Sequence, residues 1–322
     1  MGPAGLVSYM LIPGLLEADQ SAALDDVASL AAISPIGLLE IPAWPASWAG
    51  PLSDALAATT GLVCTQSTAI RDGWDAGAPQ SAAAGRARRE LAEAAELASA
   101  IGGSTVAMWA GRAVEPSATH RRALVDTVRW LLDRYPDLDL VLEPFPAVLM
   151  AGSWVETAQD AATLCQEVGP RLQVMYDCSH EVAGGQPSVP APDVVEQIGV
   201  VQLTSPWWSA ATGFEDRHPP FGTPGAISWE AAKDRLGALL AAGVSGPVTL
   251  EVKAAAARAD DDLMARVRRW GEELDAMLAG DASRRVTPVL EVSPGTGVTG
   301  DRCRRSEGEN PASGSISLQE RR

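Results

Sequence analysis

Leu138-Asp139-Leu140-Val141-Leu142-Glu143 is a short apolar, β-rich run that ends on an acid. Three more runs of the same build follow it: Leu172-Gln173-Val174-Met175-Tyr176-Asp177, Gly199-Val200-Val201-Gln202 and Val248-Thr249-Leu250-Glu251. Continuous runs of this kind read as strands buried on both faces. A polar residue at the C-terminal end of each is costly unless the ends converge on something. Glu143, Asp177, Gln202 and Glu251 offer only oxygen ligands through their carboxylates and one amide, which suits a hard divalent cation.

Working outward, the same periodicity gives eight strands, at 5–10, 37–41, 61–66, 104–110, 138–143, 172–177, 198–204 and 247–252. Amphipathic helices alternate with them. The segment 81–101 carries Leu91, Ala94, Ala95, Leu97 and Ala98 on one stripe and ends at Gly102-Gly103; 117–134 carries Leu124, Val128, Leu131 and Leu132 and stops before Pro136. Eight strand–helix units point to an α/β protein built as a single (β/α)8 barrel over residues 1–280. From Asp281 the pattern dissolves into Pro, Gly, Ser and Arg, so 281–322 is expected to be a disordered tail. The loop 206–227 is too long for a simple turn and holds Trp207, Trp208, Asp216, Arg217, His218, Pro219 and Pro220. Loops of that length at the C-terminal face of a barrel are more often functional than idle.

The chain has 322 residues and a formal charge of −16; before residue 281 it carries 18 Lys+Arg against 35 Asp+Glu. Such a surface repels nucleic acid and anionic membranes, whose binding depends on Lys and Arg neutralising phosphates. Cys64, Cys165, Cys178 and Cys303 form no CxxC pair, the profile of a reducing cytoplasm. The first sixteen residues lack a basic n-region and are broken by Pro3, Gly5, Pro13 and Gly14, so no signal peptide is expected. No run of about 18 apolar residues is present to span a bilayer. The loops after strands one to four carry no phosphate-cradling glycine pattern or Arg cluster that would demand a phosphosugar, which leaves the substrate unnamed, and no nucleotide cofactor is expected. Homo-oligomerisation is left open.

Of the three histidines, His180 and His218 stand in strand-end loops beside acids, whereas His120 lies on a helix between Thr119 and Arg121 and reads as a surface residue. In Asp177-x-x-His180 the Asp either caps the next turn or serves as a ligand. Pro144 forces an extended backbone on Glu143 and holds its carboxylate at the barrel mouth. Trp44, Trp48, Trp109, Trp207 and Trp208 are candidate pocket walls, while Trp130 and Trp270 on helices read as packing residues.

The order Leu142-Glu143-Pro144, Asp177-Cys178-Ser179-His180, Val201-Gln202-Leu203, His218-x6-Gly225 and Gly246-x3-Leu250-Glu251 resembles the xylose-isomerase-like barrel superfamily of sugar isomerases, epimerases and class-IV apurinic endonucleases. The resemblance implies one divalent metal held by Glu143, Asp177, Gln202 and Glu251, with Gln202 where His is commoner. Loss of that imidazole favours Mn2+ or Mg2+ over Zn2+. Asp216-Arg217-His218 resembles the loop in which the endonuclease branch holds additional zinc, so Asp216 and His218 are candidates for a further metal. That branch also needs histidines after strands three and four, where this chain has Thr65-Gln66 and Met108-Trp109. By resemblance to the epimerases, Glu143 and Glu251 exchange a proton with a sugar or other small polyhydroxy carbonyl compound through an enediolate. His180, Arg217, His218, Trp109 and Trp207 would contact the substrate. A dehydratase of the dehydroshikimate or inosose type begins with the same proton abstraction, and a barrel that only binds its ligand is the third reading.

Overall fold

The structure is a computed structural model of the chain and describes residues 4–12, 15, 19–32, 37–56, 62–66, 82–103, 105–112, 117–255 and 259–284. Its strands are β1 (Ala4–Val7), β2 (Leu38–Pro42), β3 (Leu62–Gln66), β4 (Thr105–Trp109), β5 (Asp139–Glu143), β6 (Leu172–Asp177), β7 (Ile198–Thr204), β8 (Trp207–Ser209), β9 (Gly213–Glu215) and β10 (Val248–Glu251). Eight of them close into a barrel in the order β1-β10-β7-β6-β5-β4-β3-β2, every neighbouring pair parallel. With helices between the strands this is the (β/α)8 barrel expected from the sequence. β8 and β9 form a separate antiparallel hairpin in the loop after β7.

Alternation along each strand sorts the side chains into two layers. Leu140, Leu142, Val174, Tyr176, Val201, Leu203, Val248 and Leu250 join the helix-borne Leu91, Leu97, Leu124 and Leu131 in one large core. Each wholly buried leucine there contributes roughly 1.5–3 kcal/mol. Leu38, Cys64, Ala107, Val141, Met175 and Val200 form a second cluster, on the inward-facing positions of the strands. Two residues beyond Val141, Met175 and Val200 come Glu143, Asp177 and Gln202, which the period of two therefore also turns inward, toward the C-terminal mouth.

Helices Ala82–Ala100 and Ala118–Arg134 bury the expected stripes, and Ser117 caps the second with His120 as its capping-box partner. β1 is shorter than expected: the chain turns helical over Ser8–Leu11, because an apolar run looks alike as buried strand or buried helix. The last helix, Asp261–Arg284, extends past the expected domain end at 280, and the rest of the tail lies outside the described residues. Among the described residues no helix is long and apolar enough to cross a membrane.

Candidate metal centre

β5 ends on Glu143, only 5 % exposed. The indole Nε1 of Trp109, its register partner on β4, donates to Glu143 Oε2, and His180 Nδ1 lies 3.3 Å from Oε1. Asp177 ends β6 and is wholly buried. Its Oδ1 accepts from Ser179 N at 2.5 Å, Ser179 Oγ at 2.7 Å and His180 N at 3.0 Å, so it caps the short helix Cys178–Ala183. Capping uses one carboxylate oxygen; Oδ2 is buried without a hydrogen-bond partner. Capping therefore leaves one carboxylate oxygen of Asp177 as a candidate ligand.

The turn started by Asp177 brings His180 back over the mouth. Its Nδ1 lies 3.1 Å from the Pro144 carbonyl, an obligate acceptor, so Nδ1 carries a proton there. That leaves Nε2 facing Asp216 Oδ1 at 3.6 Å and Asp177 Oδ2 at 3.8 Å.

Asp216 and His218 arrive from the loop that carries β8 and β9. His218 has φ +46, the left-handed region that a non-glycine residue enters at a cost. Lys253 N donates to its carbonyl at 2.7 Å, and Pro219 follows it. In this pose its Nδ1 lies 2.8 Å from Thr204 Oγ1 and 3.8 Å from Glu251 Oε2, and its Nε2 lies 2.5 Å from Asp216 Oδ1. Register on β7 and β10 pairs Glu251 with Thr204 and sets Gln202 beside Thr249. An imidazole is thus present at the level of Glu251, but it comes from the loop and reaches across Thr204. Gln202 sits one inward position deeper; its Nε2 donates to Glu40 at 3.1 Å and its Oε1 is buried without a partner.

Ligand atoms of Glu143, Asp177 and His180 lie within 4.8 Å of one another, as do those of Asp177, His218 and Glu251, and those of His180, Asp216 and His218. At about 4 Å, two like charges repel by roughly 4 kcal/mol at an effective dielectric of about 20. The protonation pattern reflects this crowding. Burial, reinforced by Asp177, pushes Glu143 up to about 7, with His180 pulling the other way. Burial, then Asp177, Glu143 and Glu40, hold Glu251 well above the usual carboxylate range. Burial alone would lower His180, but Asp177, Asp216 and Glu143 outweigh it and lift it to about 10. His218 is raised against the same burial penalty, chiefly by Asp216. Asp216 is held well below its usual value despite burial, by His218 and His180. Acids crowded in this way call for positive charge, from protons or from a cation. Buried atoms without a hydrogen-bond partner on Asp177, Gln202 and Glu251, together with four carboxylates and two imidazoles at one mouth, fit a divalent cation.

The remaining expected residues fall elsewhere. Arg217 stacks its guanidinium 3.9 Å from the centre of the Trp207 ring and binds Glu215 Oε2 through Nε at 2.5 Å, with its side chain half exposed. Trp44 and Trp48 stack on each other at 5.3 Å, and Trp208 is mostly solvent-facing. Trp270 packs in the core, but Trp130 is partly exposed beneath Arg88 and is not the packing residue expected. Lys253 is exposed. The sequence reading missed Glu40 and Thr204. The signal for Glu40 was in Leu38-Leu39-Glu40-Ile41-Pro42, an acid at the same parity as Leu38 inside an apolar strand.

The protein is thus a closed parallel barrel with a carboxylate-rich cluster, a candidate metal site, at the C-terminal mouth where such barrels carry their active sites. Residues 42–279 match the family described as xylose isomerase-like TIM barrel, and the chain belongs to it. No curated protein sequence matches the chain. Among solved structures it is similar to an L-ribulose 3-epimerase at 15% identity and TM-score 0.64, covering 88% of this chain and 97% of that one. It is also similar to a xylose isomerase-like TIM barrel protein from Mycobacterium smegmatis in complex with magnesium, at 14% identity and TM-score 0.59, covering 86% and 98%. A third is the IOLI protein with a binding zinc atom, at 13% identity and TM-score 0.59, covering 90% and 100%. Likeness at such identities speaks for the fold.

Proposed function

We propose that the protein is a metal-dependent isomerase or epimerase of a small sugar or related polyhydroxy carbonyl compound. The observation that carries this reading is the pair Glu143 and Glu251: two buried carboxyls at the ends of β5 and β10, each with a ligand atom within 4.8 Å of one on Asp177. Two carboxylates placed on opposite sides of a bound substrate carbon can remove and return a proton beside a carbonyl. Glu143, Asp177 and Glu251 would hold the ion, with Gln202 and His218 completing the set. A bound divalent cation would polarise the carbonyl and the neighbouring hydroxyl and so stabilise an enediolate.

The residues themselves do the rest. One of Glu143 and Glu251 removes the C–H proton and the other returns it on the opposite face. Trp109 holds Glu143 in place through its N–H, and His180 donates to a substrate oxygen. Arg217 and Trp207 form a rim contact above the mouth. His180, Asp216 and His218 would take any additional ion. With an imidazole reaching the cluster from the loop, the donor set accommodates Mn2+, Mg2+ or Zn2+.

The test is solvent deuterium exchange into a panel of ketoses and inososes, with and without Mn2+. Metal-dependent exchange is expected, reduced about 10²–10⁴-fold in Glu143→Gln and in Glu251→Gln. No metal-dependent exchange with any compound would overturn the reading. An ultraviolet-absorbing enone formed in the same assay would redirect it to a dehydratase, which shares the first step.

A further inference from the structure

Glu40 lies in the middle of β2, wholly buried inside the barrel, and takes no part in the chemistry proposed above. Both of its oxygens accept hydrogen bonds: Thr249 Oγ1 donates to Oε1 at 2.5 Å and Gln202 Nε2 donates to Oε2 at 3.1 Å. The barrel is built to let these three meet. β1 lies between β2 and β10, and Gly5 on β1 is register partner to both Leu38 and Thr249. A Cβ at Gly5 would stand 2.6 Å from the Leu38 carbonyl oxygen and 2.8 Å from Thr249 Cγ2, so only glycine leaves that passage open.

The bond to Glu40 fixes which way the Gln202 amide points. An amide has a donor end and an acceptor end, and an acceptor oxygen on Glu40 selects the donor end. Gln202 Oε1 is therefore turned away from Glu40. It is buried and unpartnered, as is Oδ2 of Asp177, the register partner of Gln202 on β6. Each such orphan acceptor is costly unless something satisfies it. An apolar pair would fill the same interior without that cost.

We infer that Glu40 is a positioning residue of the metal centre, locking Gln202 with its carbonyl oxygen presented to a divalent cation shared with Asp177. The inference rests on the proposed ion site, and its test reads binding alone. Mn2+ affinity of the metal-stripped full-length protein is measured by calorimetry for wild type, Glu40→Met, Gln202→Leu and the double variant, with circular dichroism to establish folding. Glu40→Met, which keeps the length but removes the acceptor, is expected to weaken Mn2+ about 10–100-fold, the range typical of residues that orient a metal ligand. Because Glu40 acts through Gln202, adding Glu40→Met to Gln202→Leu is expected to cost nothing further.

A folded Glu40→Met that binds Mn2+ within twofold of wild type would overturn the inference. So would a loss of the same size in the Gln202→Leu background. Should Glu40→Met not fold, the exchange Glu40→Gln with Gln202→Glu keeps the hydrogen bond, the volume and the net charge. It is expected to bind Mn2+, and failure to do so while folded would also overturn the assignment. A wild-type protein that ignores Mn2+ would remove the ion site itself, which separates that failure from this one.

Discussion

Glu143 stands where a solvated acid gains nothing: 5 % exposed, beside Asp177 and Asp216, with one indole N–H as its donor. The consequence for stability has a definite sign. In the ion-free protein Glu143 rises from 4.5 to about 7 and so does Glu181, while His180 rises from 6.5 to about 10. All three hold their protons more tightly folded than unfolded, so stability falls as pH rises, between about 4.5 and 7 for the acids and between about 6.5 and 10 for the histidine. Asp216 has the opposite sign, but its window lies below 3.8. With a chelator present, Tm from circular dichroism is expected to drop by about 5 °C or more between pH 5 and pH 8, and added Mn2+ should restore it most at pH 8. A Tm that is flat or rising over that range would contradict the arrangement. At this scale the sequence revealed the acids at the strand ends, since an acid closing an apolar run is visible in one dimension. The partner of Gln202 was not visible, because Glu40 is 162 positions away and meets it only once the barrel closes.

The β8–β9 hairpin delivers Asp216 and His218 to the mouth, so its seat matters as much as the residues it carries. Trp208 N donates to Gly225 O at 3.0 Å, and Gly225 has φ +88. A Cβ there would stand 2.8 Å from both Trp207 Nε1 and the Trp208 carbonyl oxygen, so Gly225→Ala must shift the hairpin against backbone and adopt a strained φ. Expected is a loss of Mn2+-dependent exchange of roughly tenfold, since small displacements of positioning groups are costly, with Tm lowered by only a few degrees. Unchanged turnover in the folded variant would show that the hairpin does not position the site. The hairpin escaped the sequence reading because its strands are three residues each and its turn, Ala210-Ala211-Thr212, lacks the Asn-Gly or Asp-Gly signature. By contrast β6 and β7 have the expected limits, 172–177 and 198–204, where largely apolar runs end on a polar residue.

For the molecule as a whole, the closed barrel turns sequence order into convergence. Glu143, Asp177 and Glu251 close three different strands, and closure brings a ligand atom of each glutamate within 4.8 Å of one on Asp177. Strand–helix alternation made that architecture legible, whereas the loop route by which His218 reaches Glu251 depends on a left-handed backbone that no periodicity encodes. The function proposed stands on those three acids sharing an ion. Anomalous diffraction at the manganese edge from a crystal soaked in Mn2+ reads this directly. One peak is expected about 2 Å from an oxygen of each of Glu143, Asp177 and Glu251. A map with no peak at the mouth, or one touching only surface acids, would contradict the account.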